Sequence, residues 1–90
     1  MMGNKMDDFH VAIGINDFKH KVIAICVHTD MGKCKKLSKA RAIKYKCTEY
    51  KIFTLPDNSF IEKFRWWLLE HGLTELEIAR IGKQFYEEFK

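Results

Sequence analysis

The sequence predicts an α+β fold: an antiparallel sheet of three or four strands in a β-meander, followed by a C-terminal helical hairpin packed on one face. Three observations predict it: alternating apolar residues in the first half, a helix-period apolar stripe over residues 57–71, and a capping signature just beyond it. Ninety residues are enough for one core and too few for two ordinary domains, so a polar, frayed tail over residues 1–8 and a single domain over 9–90 are expected. With 47% hydrophobic and 13% aromatic residues the chain is not compositionally disordered, and its single proline argues against low-complexity linkers.

Phe9 to Ile15 sets Phe9, Val11, Ile13 and Ile15 on one side and His10, Ala12 and Gly14 on the other, which is the period of a strand. The small second side lets another element approach closely. Asn16 and Asp17 are turn residues. Lys21 to Thr29 follows as a strand with Ile23, Ile25 and Val27 on one face and Val22, Ala24, Cys26 and His28 on the other; apolar on both, it is a candidate central strand. In residues 35–47, Ser38 could cap a short helix, while Ile43, Tyr45 and Cys47 alternate with Lys44 and Lys46 as a strand would; the strand is preferred. Tyr50 to Leu55 is β-branched and aromatic and ends at Pro56, forming a fourth strand or a bent continuation of the third.

The stretch DNSFIEKFRWWLLEH, residues 57–71, reads as a helix with Asp57 or Asn58 as N-cap and Gly72 as its stop. Phe60, Ile61, Phe64, Trp67, Leu68 and His71 share one arc, which is expected to cover the sheet. Trp66 projects on the far side, between Glu62 and Glu70 and beside Leu69. Thr74 and Glu77 form a capping box that starts a second helix, with Leu73 placed as a staple and Ile78, Ile81, Gly82, Phe85 and Phe89 as its apolar arc, Tyr86 lying at the edge.

The net charge of +4 hides a separation: residues 32–51 carry eight cations, Lys33, Lys35, Lys36, Lys39, Arg41, Lys44, Lys46 and Lys51, against Glu49 alone. Elsewhere acids exceed bases. On the expected strand, lysines at alternate positions with Tyr45 interleaved would meet phosphates or an acidic protein surface, the tyrosine being available for stacking. A solvated strand face protected by lysine against edge-to-edge association accounts for the same pattern. The second candidate surface is Trp66 with Leu69, Glu62 and Glu70, since an exposed tryptophan supplies large contact area at low entropic cost.

Other chemistries find less support. The turn at Gly72 has helix-turn-helix spacing, but Glu75 and Glu77 would face the duplex where base-reading residues belong. Among Cys26, Cys34, Cys47, His10, His20, His28 and His71 only Cys26 and His28 are close in sequence, so no metal site and no cofactor are expected. Three cysteines, an odd number, read as reduced thiols in a cytoplasmic protein; no apolar leader and no membrane-spanning stretch are seen. The segment VAIGIN, Val11 to Asn16, followed by a strand hairpin, resembles the start of ribonuclease H-like folds. There the first strand ends at a metal-binding aspartate, a place held here by Asn16 with Asp17 beside it. That resemblance would imply a small metal-dependent nuclease-like domain.

No catalytic residues are expected from these patterns. They point to a small non-enzymatic cytoplasmic binding protein that occupies a surface of a larger macromolecule, a regulator or inhibitor of nucleic-acid machinery of the phage anti-defence, viral type. Its expected partner is a protein or nucleoprotein with an acidic surface, or a second copy of the chain, and no membrane is involved. Direct nucleic-acid binding through the basic segment 33–51 is the alternative.

Overall fold

The computed structural model describes residues 8–88; the expected tail, apart from Asp8, lies outside them. In order the elements are β1 (Phe9–Asn16), β2 (Lys21–His28), α1 (Met31–Lys44), β3 (Glu49–Leu55), α2 (Phe60–Glu70) and α3 (Glu75–Glu88). They divide into two compact units at Asn58, the first holding the sheet and α1, the second holding α2 and α3. The fold class is α+β, with a three-stranded antiparallel sheet.

Strand β1 is central and pairs antiparallel with both β2 and β3, giving the order β2-β1-β3. Strands β2 and β3 therefore run parallel to each other, and a parallel connection requires a crossover, usually a helix. Residues 31–44 supply it. This corrects two expectations. The segment 35–47 is helical up to Lys44 and contributes no strand, and the third strand pairs with the free edge of β1 instead of extending a sequential meander. The central strand is also β1 and not β2, whose Ile23 and Val27 are exposed.

Pairing of β1 with β2 shifts between Ala12 and Ile13, so that Cys26 faces Ala12 while Ala24 faces Ile13, leaving Ile25 as the extra residue of a bulge. The bulge reverses the alternation along β2. Ile25 and Cys26 join Ala12, Cys34 and Ala42 in the core between the sheet and α1, with Cys47, Tyr50 and Ile52 packed around them. The bulged carbonyl is not left unpaired, because Arg41 Nη1 donates to the oxygen of Ile25 at 2.9 Å. The small side of β1 has the expected consequence: a Cβ on Gly14 would lie 2.4 Å from Cys47 Sγ.

Asp30 N-caps α1, accepting the Lys33 N–H at 2.9 Å, and that bond holds its carboxyl below the usual carboxylate range. The helix ends on Tyr45 with Lys46 at φ 58°, where Cys47 N–H reaches Ala42 O and Lys46 N–H reaches Ile43 O. This is a Schellman closure built without glycine.

In the second unit α2 begins at Phe60 with Ser59 as N-cap, so the caps expected at Asp57 or Asn58 are displaced toward the C-terminus. Phe64, Trp67 and Leu68 are buried as the arc predicts, but Ile61, placed on that arc, is 71% exposed. It lies at the arc's edge, one residue from the start of the helix. Gly72 at φ 86° closes α2 with bonds from Leu73 N–H to Leu68 O and from Gly72 N–H to Leu69 O. The capping box is present in both directions: Glu77 Oε1 accepts the Thr74 N–H at 2.9 Å, and Thr74 Oγ1 accepts the Glu77 N–H at 3.2 Å. Phe64 stacks on Phe60 and on Phe85, and Arg65 bonds Glu75, so ring and ion contacts join the two helices. Ile81 is buried, while Gly82 is exposed. The expected contributions of Phe89 and of the Tyr86 side chain lie outside what is described.

Candidate functional site

Helix α1 carries six cations, Lys33, Lys35, Lys36, Lys39, Arg41 and Lys44, and no acid. Its buried residues Cys34, Ser38 and Ala42 recur every fourth position, which leaves one narrow seam against the sheet. At about 100° per residue, Lys33, Lys36, Ala40, Ile43 and Lys44 lie on the side opposite that seam, with Leu37 and Lys39 on its two flanks. All of these are exposed, Ile43 by 74% and Leu37 by 37%. The outward side is thus a lysine stripe, with Ile43 at one edge and Leu37 at the other.

The basic segment is expected on the sheet, and the structure moves most of it. Lys33, Lys35, Lys36, Lys39, Arg41 and Lys44 are helical, Lys46 follows the helix, and only Lys51 lies on a strand. Lys51 faces Ile13 on the side of β1 away from Ala12, with its Nζ over the Phe53 ring at 5.6 Å. Arg41 is spoken for by the β2 bulge. Lys44 Nζ lies 5.6 Å from the centroid of Tyr45, which is itself 47% exposed.

Two loops at one end of the first unit are fastened together by a single side chain. Asn16 Oδ1 accepts the N–H groups of Phe18 and Lys19 at 2.9 and 3.0 Å, while its Nδ2 donates to Lys46 O at 2.9 Å. Thr48 adds a second fastening: its N–H donates to Ile15 O, its hydroxyl accepts the Asp17 N–H, and that hydroxyl lies 2.8 Å from Asp17 Oδ2. The β1–β2 turn and the α1–β3 loop are therefore one structural end. Sequence reading misses Phe18, which stands 89% exposed on this end. Its signal is a large aromatic inside a turn, followed at once by Lys19, His20 and Lys21.

On α2, Trp66 is 57% exposed, in agreement with its place outside the arc. Glu62 and Glu70 are exposed beside it and Leu69 is half-buried. Arg65 lies over the Trp66 ring, 6.0 Å from its centroid, with its charge engaged by Glu75, which raises the guanidinium pKa further.

The thiols are set deep. Cys26 and Cys34 are buried and neighbour each other under α1, and Cys34 Sγ lies 3.8 Å from both His10 O and Ser38 Oγ. Burial pushes the Cys34 and Cys47 thiols up, away from the thiolate that a nucleophile needs. Among the described residues no three His, Cys, Asp or Glu side chains are grouped to hold a metal ion. Asn16 and Asp17, the positions carrying the ribonuclease H-like resemblance, are occupied in fastening the two loops. No described helix is long and apolar enough to cross a membrane. Comparison with protein-family models, with curated proteins and with solved structures finds no match.

Proposed function

We propose that this chain is a non-enzymatic, cytoplasmic binding protein that occupies an acidic surface on a larger macromolecular partner, a protein or nucleoprotein of nucleic-acid machinery, as a regulator or inhibitor would. The observation that carries the reading is the outward side of α1, where Lys33, Lys36 and Lys44 form a stripe edged by exposed Leu37 and Ile43. Lysines supply steering and complementarity to acidic groups, and the exposed apolar side chains beside them supply the desolvated contact that charge alone does not. A wholly solvated helix needs neither Leu37 nor Ile43 outside. Trp66 with Glu62, Leu69 and Glu70 is the second surface of the same kind.

The test is capture from native lysate, with and without nuclease treatment, by wild type and by Lys33→Glu/Lys36→Glu. Both positions are exposed, so the variant keeps its helical circular dichroism and melting temperature. Loss of the captured partner on charge reversal supports the reading. Capture indifferent to the reversal refutes it.

A further inference from the structure

We propose that the end of the first unit formed by the β1–β2 turn and the α1–β3 loop is a binding site for single-stranded nucleic acid, with Phe18 and Tyr45 as base-stacking platforms. The two rings come from turns well separated in sequence that Asn16 fastens together, its one amide bonding Phe18 N–H on one side and Lys46 O on the other. Phe18 at 89% exposure serves no core, and Tyr45 is half open. The same turn and helix end carry Lys19, Lys21, Lys44 and Lys46, all exposed, and Lys44 Nζ lies 5.6 Å from the Tyr45 ring centroid. Two acids share this end, Asp17 and Glu49. The Asp17 carboxylate is turned to the Thr48 hydroxyl at 2.8 Å. Cations that follow a backbone and flat aromatics that accept any base are the combination by which proteins hold single strands, whereas a duplex keeps its base faces stacked inside and offers nothing to the rings. An acidic polypeptide such as polyglutamate would meet the lysines through charge but offers no base faces for the two rings to stack on.

This site shares Lys44 with the outward side of α1, but its two rings are not part of that side, so the ring variants and Lys33→Glu/Lys36→Glu let the two readings fail separately. The experiment is fluorescence anisotropy of a labelled oligothymidylate of about 15 nucleotides at low salt, with a duplex of the same length and polyglutamate as competitors; site sizes of about 4–16 nucleotides set the probe length. Wild type is expected to bind the single strand more tightly than the duplex. Its affinity falls with salt at a log–log slope of about −2 to −3, near −0.7 for each of three or four phosphates met. Phe18→Ala and Tyr45→Ala each weaken binding about fivefold or more, the lower end of what one stacked base contributes, with unchanged melting temperature. Lys33→Glu/Lys36→Glu weakens it less than the double ring variant does. Binding unchanged in Phe18→Ala/Tyr45→Ala overturns the proposal. So does equal affinity for the duplex, competition by polyglutamate as strong as by unlabelled single strand, or no salt-sensitive binding.

Discussion

Helix α1 is seated by Cys34, Ser38 and Ala42, and α2 by Phe64, Trp67 and Leu68. The first set is small because β1 turns Ala12 and Gly14 toward it, so the backbones come close and no room remains for larger side chains. The second set is large, and aromatic rings fill the space around Phe64 and Trp67. A narrow seam leaves most of α1's circumference free, and there the chain puts lysine. The bulky seam of α2 leaves Ile61, Glu62, Lys63, Arg65, Trp66 and Glu70 exposed, of both charges, with Leu69 half-buried. The difference teaches that close approach can seat a helix on small residues that leave no hydrophobic signature, while a helix seated by bulk is anchored by large buried side chains.

The comparison breaks most readily at α2. Leu68 is fully buried, so Leu68→Ala is expected to cost about 2–5 kcal/mol through lost transfer energy and the cavity left behind. Two positions away on the helix, Trp66→Ala should stay within about 0.5 kcal/mol despite removing a larger side chain. Urea unfolding followed by circular dichroism measures both. A loss at Trp66 approaching that at Leu68 would place the indole in the core and remove it from the candidate surfaces.

For α1 the sensitive change is enlargement rather than truncation. Gly14→Ala sets a methyl group 2.4 Å from Cys47 Sγ and 3.2 Å from its Cβ, and a cysteine is too short to swing aside. Overpacking of this kind costs about 1–3 kcal/mol. In a Cys47→Ala background the sulfur clash is gone and part of the loss should return, giving a coupling above about 0.5 kcal/mol in a double-mutant cycle. Strict additivity would mean that Gly14 matters for some reason other than the approach of Cys47.

The same contrast explains what could be read from the chain. Phe64, Trp67 and Leu68 announce their helix because large apolar residues at helical spacing have few other uses, and Gly72 and the Thr74–Glu77 box mark its end and the next beginning. Cys34, Ser38 and Ala42 announce nothing: one is polar, all are small, and lysines flank them. Ile43, Tyr45 and Cys47 meanwhile imitate a strand, although Ile43 and Tyr45 point outward and Cys47 follows the helix. One residue could have corrected this, and another conceals the helix end. Asp30 stands three positions before Lys33 as an N-cap, and no glycine is needed at the other end because Lys46 takes the left-handed conformation itself. Of the site, the cations and Trp66 are legible as residue types. That Lys33, Lys36 and Lys44 share a helix face, and that Asn16 brings Phe18 beside the Tyr45 loop, follow from the crossover topology and from one amide, neither of which has a sequence period.

The two Schellman closures give the finest form of the comparison. Lys46 at φ 58° and Gly72 at φ 86° occupy the same position after their helices, one with a Cβ and one without. An L-residue held there is disfavoured by about 1–2 kcal/mol relative to its usual conformations, a penalty glycine escapes at the expense of a more flexible unfolded chain. Lys46→Gly should therefore raise stability by up to about 1 kcal/mol. Gly72→Ala should lower it by a similar amount for conformational reasons alone, since a Cβ there meets nothing within 4 Å. In thermal melts these appear as opposite shifts, at about 4–8 °C per kcal/mol for a chain of this size. Lys46 is exposed and its carbonyl accepts from Asn16, a bond that glycine preserves, so the fastening of the two loops survives the change. If Lys46→Gly lowers the melting temperature, the lysine side chain holds the loop in place and outweighs the strain of its left-handed backbone; if it raises stability, that strain outweighs whatever the side chain contributes to the fold.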